Sequence, residues 1–252
     1  MPSVMIQLPE EVKVIKKEGN KAVFEIGPLM PGYGATVANP LRRVLLSSLE
    51  GSAVTSIKIV GVEHEFGAIT GVQEDVIEII LNLKKLRFRC FSDDPVTVRL
   101  IAKGDTEVTG NDIQLTSDVE LINTDQHICT LTDKKAEIDM ELTVQKGRGY
   151  VSVEMRQKEK LPIGVIAIDA AFSPVRLVNF SIDDVRVGQR IDFNKVTMEV
   201  ETDGAIQPEQ AMKEAATILA DHFALVAQIT VPEQAQAKPA KKAKTVKKAK
   251  KE

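Results

Sequence analysis

Between residues 37 and 49, apolar side chains recur at intervals of three and four residues, the spacing that places them on one face of a helix. Thr36 is a suitable N-cap, and Pro40 can stand in the first turn, where its missing N–H costs little. We therefore predict a helix over Pro40–Leu49. Arg42 and Arg43 lie on another face, where a planar guanidinium suits contact with carboxylates. The apolar positions are Val37, Leu41, Val44, Leu45 and Leu49.

A pair of glycines before that helix permits a second interpretation. Gly32 and Gly34 follow a predicted strand and precede a helix, as in a turn that binds a dinucleotide. The third small position of that motif holds Val37, and no acidic residue closes a strand about 20 residues further on. We favour a tight turn that needs the positive φ of glycine. A small-molecule α/β enzyme that uses this turn remains the alternative.

Short apolar segments and turn residues divide the chain into two interleaved parts. The first part is predicted to comprise residues 1–51 and 171–230, with strands over 12–15, 22–26, 175–182 and 196–201. It ends in a helix from Pro208 to about residue 228, since proline fits the first helical position. Apolar residues line one face of that helix, and a second copy of it is one candidate partner. They are Ala211, Ala215, Ile218, Leu219, Phe223 and Val226.

The second part, residues 52–170, is predicted to be inserted into the first. It alternates short apolar segments with turn signals, which indicates strands over 54–59, 86–91, 96–101, 119–122, 127–131 and 136–146. One helix, over Gln73–Leu83, interrupts them, with Glu74 and Asp75 at its start and Lys84 and Lys85 at its end, as the helix dipole favours. The predicted fold class is α+β, a discontinuous subdomain with an inserted and mostly antiparallel β-rich subdomain.

Composition and charge argue against several classes of protein. No apolar run approaches the length of a membrane span, and the N-terminus lacks a signal core, so we predict a cytoplasmic protein. Cys90 and Cys129 are widely spaced and are predicted to be buried thiols in a reducing compartment. The acidic pairs at 93–94 and 183–184 make poor metal clamps, because neighbouring residues on a strand point to opposite faces. We predict no catalytic and no metal-binding residue.

Five segments of the chain, in order, carry a resemblance to one known family. They are VANPLRRVLLSS (37–48), GVQEDVIEIILNLKKL (71–86), KGRGY (146–150), AFSPVRLVNFSIDDVRVGQRIDFNKV (171–196) and AATILADHF (215–223). Together they resemble the N-terminal assembly domain of bacterial RNA polymerase alpha subunits, and the resemblance covers essentially residues 1–228. It implies a homodimer that gathers the large beta and beta-prime subunits, with omega and sigma joining the full complex. It also implies that magnesium and zinc belong to other subunits, so that this chain binds no cofactor.

The resemblance implies roles for particular residues. Arg43 and Leu46 match positions that contact the beta subunit, and Arg42 is grouped with them. Lys84 and Val175 match positions involved in beta-prime binding and assembly, and Arg190 is assigned to the same region. The dimer interface is expected to combine the two helices of the first part, through Leu41, Val44, Leu45, Ile218, Leu219, Phe223 and Val226.

The C-terminal segment differs from the usual pattern of the family. Where many members continue into a DNA-binding domain, residues 231–252 are rich in lysine and alanine, which predicts disorder. Nonspecific contact with nucleic-acid phosphates is one hypothesis for its lysines, and a solvated tail is the other. A stand-alone nucleic-acid-binding dimer driven by this segment is a further alternative to the polymerase subunit. The candidate residues are Lys241, Lys242, Lys244, Lys247 and Lys248.

Overall fold

The computed structural model describes residues 11–156 and 162–229. Most of its strands are antiparallel and its α-helices are few, which confirms the α+β class. One sheet has four strands in the order β1-β2-β15-β14, and α1 and α3 pack against it. The strands are β1 (Glu11–Glu18), β2 (Lys21–Leu29), β14 (Val175–Val187) and β15 (Arg190–Thr202), and the helices are α1 (Tyr33–Ser47) and α3 (Pro208–Ala227).

The larger sheet is built around β10, which pairs on its two sides with β3 and β5. Its strands run in the order β7-β5-β10-β3-β4-β8, and β12 also pairs with β3. Helix α2 (Val76–Leu83) packs on its apolar side. The strands of this region are β3 (Glu50–Ile59), β4 (Phe88–Cys90), β5 (Val96–Lys103), β6 (Thr106–Thr109), β7 (Ile113–Gln114), β8 (Val119–Leu121), β9 (His127–Leu131), β10 (Glu137–Arg148), β11 (Tyr150–Val151), β12 (Val165–Ala167) and β13 (Ala170–Ala171).

Two separate clusters of buried apolar side chains hold these elements together. One cluster is drawn from residues 54–168 and includes the inner faces of β3, β5 and β10. The other is drawn from residues 22–49 and 175–215 and lies between the four-stranded sheet and its two helices. We name the first region the insert unit and the second the helical unit. Two 3₁₀ turns, Gly110–Asp112 and Val153–Arg156, complete the insert unit.

The predicted start of α1 was wrong. The helix begins at Tyr33 and not at Pro40, which lies inside it. Gly32, at φ 83°, is the N-cap, and the Asn194 Oδ1 atom accepts the N–H groups of Gly32 (2.8 Å) and Gly34 (3.3 Å). A side chain from β15 thus satisfies amides that local capping leaves open. Pro40 costs the helix one backbone hydrogen bond, and the helix continues through it.

The other two helices lie closer to the bounds predicted from the sequence. Helix α2 begins at Val76, three residues after the predicted start, because Asp75 is its N-cap and forms a capping box with Glu78. Its buried residues are Val76, Ile79 and Leu83. Helix α3 begins at Pro208 as predicted and extends over 20 residues. No helix in the described part of the chain is long and apolar enough to span a membrane.

Candidate assembly surfaces

The paired arginines lie on the exposed side of α1, but only one of them is tied down. The Arg42 Nε–H donates to the carbonyl of Val178 on β14 at 3.1 Å, which fixes this side chain along the sheet. Arg43 is exposed and borders a groove of about 350 Å³ between α1 and α3. Leu219 of α3 forms part of the same groove. Arg43 is therefore positioned for contact with another molecule.

The apolar stripe of α1 is committed to its own chain. Leu41 and Leu45 have 7% and 0% of their surface exposed and belong to the core of the helical unit. Their assignment to the dimer interface stays a prediction, and these two side chains offer little surface to a partner because their own chain already encloses them. Val44 and Leu46 are half-buried and pack against that core from its edge. These two keep surface that a partner could cover.

Helix α3 changes character along its length. Ala211 and Ala215 are fully buried, and Ile218 and Leu219 are half-buried against the same core. From residue 221 onward every described residue is exposed, including apolar side chains that a folded monomer leaves in water. Two of these, Leu225 and Ile229, were not among the predicted interface residues, although they follow Ile218 and Val226 at the helical spacings of seven and three residues. The exposed fractions are 61% for Phe223, 70% for Leu225, 66% for Val226 and 76% for Ile229.

Lys84 lies at the C-terminal end of α2, where it is part of a fixed ion pair. Its Nζ atom is 3.1 Å from the Asp169 carboxylate, which also accepts the Val153 N–H at 2.9 Å. The hydrogen bond from the Val153 backbone and the nearby Lys84 outweigh burial and lower the pKa of Asp169. The pair borders a groove of about 440 Å³ that includes Phe66 and Leu81. Both of these apolar side chains are exposed, by 78% and 52%.

The structure separates Val175 from Arg190. Val175 is 5% exposed and lies in the core of the helical unit, so its assignment to beta-prime binding stays a prediction that its side chain could serve mainly by supporting its neighbours. Arg190 stands at the turn of the β14–β15 hairpin, where it pairs with Asp192 at 2.7 Å and covers the Phe193 ring. The 13 residues of β14 separate the two positions by roughly 40 Å. One contact site would include both residues only if it extended along the whole hairpin.

The glycine turn is already occupied by the protein itself. The N–H groups of Gly32 and Gly34 point at the Asn194 side chain, whereas a dinucleotide site needs such amides free for phosphate oxygens. Cys90 and Cys129 are buried, as predicted, and burial raises the pKa of Cys129 to about 12. Residues 11–156 and 162–229 contain no group of three or more His, Cys, Asp or Glu residues that could hold a metal ion.

The lysines assigned to nucleic acid, from Lys241 to Lys248, and the predicted tail over 231–252 lie outside the described residues. The surfaces above therefore come from the two units alone. They consist of the Arg43 groove, the exposed half of α3 and the Lys84 groove.

Comparison with known proteins agrees with the resemblance found in the sequence. Residues 57–173 match the family model of the RNA polymerase Rpb3/RpoA insert domain. The DNA-directed RNA polymerase subunit alpha of Symbiobacterium thermophilum is 49% identical over 220 residues, which cover 87% of this chain and 70% of that protein. The subunits of the same name from Alkaliphilus oremlandii and Moorella thermoacetica are 48% and 49% identical, over 87% and 82% of this chain and 69% and 66% of their own lengths. The chain therefore belongs to the family of bacterial DNA-directed RNA polymerase alpha subunits.

Proposed function

We propose that this chain is the dimeric scaffold on which a bacterial RNA polymerase assembles. The observation that carries this proposal is the exposed half of α3. It is a 20-residue helix whose first half is built into the core and whose second half carries apolar side chains in water. A contiguous apolar surface of that kind is typical of an interface that is covered in the assembled protein. A second copy of the same helix supplies a matching surface under two-fold symmetry.

The dimer would use both helices of the helical unit. The partner's α3 would cover Phe223 and Val226, together with the half-buried Val44, Ile218 and Leu219. An interface between permanent partners buries roughly 2,000 Å² or more in total, so the sheet edge or α1 must join the helix in it. In this arrangement α1 lies next to the interface and still presents Arg43 outward.

The large subunits would then bind at two different places. Arg43 and Leu46, with Arg42 holding the helix to β14, would form the contact with beta on one copy. Lys84 and its groove on the insert unit would form the contact with beta-prime on the other copy. Arg190, at the far end of the hairpin, would act in assembly only through a separate contact. Omega and sigma join the complex through the large subunits in this scheme.

We propose further that the chain contributes no catalytic residue and no cofactor site of its own. Nucleotidyl transfer by polymerases uses carboxylates that hold two metal ions about 4 Å apart. The acidic pairs have other partners here, since Asp93 pairs with Lys146 at 2.7 Å and Asp184 accepts a hydrogen bond from Asn194 at 3.0 Å. The enzymatic activity would belong to the complex, in the cytoplasm and on the nucleoid.

The two buried clusters support two subdomains, one from residues 1–51 and 171–230 and one from residues 52–170.

The lysine-rich C-terminal segment would add weak contacts with DNA phosphates, independent of sequence. Deleting residues 238–252 tests this contact with DNA, because it should weaken the dependence of DNA binding by the assembled polymerase on salt concentration. An unchanged slope of binding affinity against salt concentration would contradict the proposed contact.

The scaffold is tested by purification of the tagged chain from its own cells, with identification of the proteins that accompany it. We expect untagged copies of the chain together with two very large subunits. Arg43→Ala should keep the untagged copies and lose most of the beta subunit, because it removes one contact without touching the dimer. Recovery of the chain without large subunits, or an unchanged yield of beta with Arg43→Ala, would contradict the respective part of the proposal.

A further inference from the structure

The insert unit and the helical unit are joined by a narrow neck. Both connections pass through it side by side, at Gly51 and at Phe172, and there is no room for a side chain between them. A Cβ atom at Gly51 would lie 1.8 Å from the Phe172 carbonyl oxygen, and one at Gly147 would lie 2.7 Å from the Phe172 ring. Two units that share only such a neck are expected to move relative to one another.

A second attachment joins the two units on the other side of a cleft. Arg87 of the insert unit approaches Asp203 of the helical unit, with 3.6 Å between Nε and the carboxylate. Arg89 on β4 donates from Nε and from Nη2 to the carbonyl oxygen of Ala205, at 2.9 and 2.7 Å. The cleft between this attachment and the neck has a volume of about 340 Å³ and is lined by Gly51, Arg89 and Ala205 among others.

Each end of this attachment is held within its own unit. The Asp203 N–H donates to Pro174 at 2.9 Å, and the Asp203 carboxylate accepts the Ala205 N–H at 2.9 Å, so the loop before α3 is fixed. The Arg87 guanidinium also donates to the carbonyl oxygens of Lys84 and Leu86, at 2.8 and 3.0 Å. The same side chain thus caps the end of α2 and reaches the loop that begins α3.

Stability alone gives a poor account of this pair. Burial raises the pKa of Asp203, although the positive charges of Arg87 and Arg176 oppose that rise. Burial also lowers the pKa of Arg87, and the nearby Arg176 adds to this fall while Asp203 opposes it. Burying both charges therefore costs more than their attraction returns, which is common for ion pairs taken out of water. What the pair does supply is placement, because Arg87 is hydrogen-bonded at the end of α2 and lies beside Asp203, while Arg89 is hydrogen-bonded to Ala205 two residues further on. Together they restrict how the insert unit can sit against the loop before α3.

We infer that Arg87, Arg89, Asp203 and Ala205 form a strut that fixes the angle between the insert unit and α3. The Arg87 guanidinium donates to the carbonyl oxygen of Lys84, so the strut positions Lys84 relative to α3, the helix that joins the two copies in the proposed dimer. This inference rests on the proposed function only where it concerns assembly. The rigidity itself is a property of the single chain.

The variants remove the strut without disturbing either core. Asp203→Asn keeps the carbonyl oxygen that accepts the Ala205 N–H, removes the charge, and places an NH2 group, which cannot accept, opposite Arg87. Arg89→Met keeps the apolar stem and removes both hydrogen bonds to Ala205, together with an exposed ion pair to Glu120 within the insert unit. It preserves the test if the buried Asp203→Asn fails to fold. The matched control is Arg99→Met, which removes an arginine–aspartate pair, with Asp139 at 2.6 Å, that lies entirely within the insert unit.

The measurement is the distribution of distances between two spin labels, one in each unit of the full-length chain. The labels are placed at the exposed positions Thr116→Cys and Lys213→Cys in a Cys90→Ser background, and labelled chain is diluted with unlabelled chain. We expect one narrow distribution for the parent and for Arg99→Met, and a clearly broader one for Asp203→Asn and Arg89→Met. Equally narrow distributions in all of these proteins would overturn the strut.

The second readout is capture of the large subunits by the same unlabelled proteins. We expect the apparent affinity of the strut variants to fall about fivefold or more, with the dimer intact, as is typical of coupling between sites. Broadened distances with unchanged capture would overturn the positioning role. A parent chain that captures no large subunit would refute the proposed function, whereas the distances would still decide whether the strut is rigid.

Discussion

The insert unit encloses its own hydrophobic core, whereas the helical unit leaves part of its apolar surface open. In the insert unit, Val76, Ile79 and Leu83 of α2 are completely buried against the sheet. In the helical unit, α3 is buried at Ala211 and Ala215 and exposed throughout its second half. An apolar helix face that is exposed in a single chain is typical of a surface that another molecule covers. The contrast is therefore between a short helix that the core of its own unit encloses and a long helix that is enclosed only over its first half, and in our proposal a second copy covers the remainder.

The ends of the helices differ in the same way. Helix α2 has a capping box at its start, between Asp75 and Glu78, and its last turn is held by Asn82, whose Nδ2–H donates to Ile128 on β9 at 3.0 Å. The N-cap residues of α1 and α3, Gly32 and Gln207, make no side-chain cap hydrogen bond, and the first amides of α1 donate instead to Asn194 on β15. Local interactions fix α2 in place, while α1 and α3 depend on distant strands and, in our proposal, on a second copy.

The largest expected effect comes from charging the open face. The double substitution Phe223→Asp/Val226→Asp should convert the dimer into a folded monomer, because each side chain would lose burial of about 1.5–3 kcal/mol and would place a carboxylate in the interface. Sedimentation equilibrium measures the change in dimer dissociation.

The matched control for this substitution is Leu115→Asp, which charges an exposed leucine of the insert unit. The control should remain dimeric and equally stable. A double variant that stays dimeric would show that α3 is not the interface, and one that unfolds as a monomer would show that its exposed half belongs to the core.

The second prediction asks whether the two units depend differently on the dimer. Leu45→Ala and Leu100→Ala both empty fully buried sites, and each should lower the free energy of unfolding by about 2–5 kcal/mol. Leu45→Ala should also weaken the dimer, since Leu45 supports α1 and the core beneath α3. Leu100→Ala should leave the dimer unchanged.

Hydrogen exchange of the backbone amides separates these outcomes. The loss of protection should be confined to the helical unit in Leu45→Ala and to the insert unit in Leu100→Ala. Equal loss of protection in both units with either variant would mean that the chain unfolds as one cooperative body, and the comparison between the units would fail.

The sequence predicted best those helices whose position and ends depend on residues close by in the chain. The period of three and four residues found α3 and its buried face, and Pro208 gave its start. The start of α1 was missed because the group that caps it, Asn194, lies 160 residues away from Gly34. Nothing in the local sequence pattern around residues 32–40 predicts a hydrogen bond to so distant a residue.

The candidate surfaces were predicted less well, for a similar reason. Helical spacing places Leu41 and Leu45 on the same stripe as Val44, but only packing decides which of them retains exposed surface. Val175 reads as an ordinary strand residue, and its burial depends on α1 crossing β14. The exposed Phe66 was missed because it stands in a loop whose position beside α2 follows from the tertiary fold.

The third prediction concerns how α2 is anchored within the insert unit. The Glu74 carboxylate accepts the Thr130 N–H at 2.7 Å and lies 3.0 Å from His127 Nε2. Burial opposes its ionisation, but these hydrogen bonds prevail and lower its pKa from the ordinary value of 4.5. Glu74→Gln should cost about 1–2 kcal/mol at neutral pH, because the amide cannot accept from every donor.

The sign of the pH dependence follows from the lowered pKa. Ionised Glu74 stabilises the fold at pH values above the ordinary pKa, and this stabilisation is lost as the pH falls through the lower pKa of the folded state. Urea unfolding from neutral into acidic solution should therefore show the parent and Glu74→Gln converging in stability. Glu137→Gln, on an exposed carboxylate that pairs with Lys103, is the control and should follow the parent throughout. A constant difference between the parent and Glu74→Gln at all pH values would contradict the assignment.

The smallest expected effects come from two substitutions, one that removes the N-cap of α2 and one that adds an N-cap to α3. Asp75→Ala removes the capping box and should lower stability by about 1 kcal/mol, while Gln207→Asp supplies an N-cap that α3 lacks and should raise it by a similar amount. Gln207 is exposed and has φ −74° and ψ 144°, the extended conformation in which an aspartate oxygen reaches the first amides of a helix. Since α3 is part of the proposed dimer interface and α2 is not, Gln207→Asp should also slow subunit exchange between dimers, and Asp75→Ala should not change it. If both substitutions alter subunit exchange equally, the insert unit takes part in the dimer, and the two units are not as independent as their separate cores indicate.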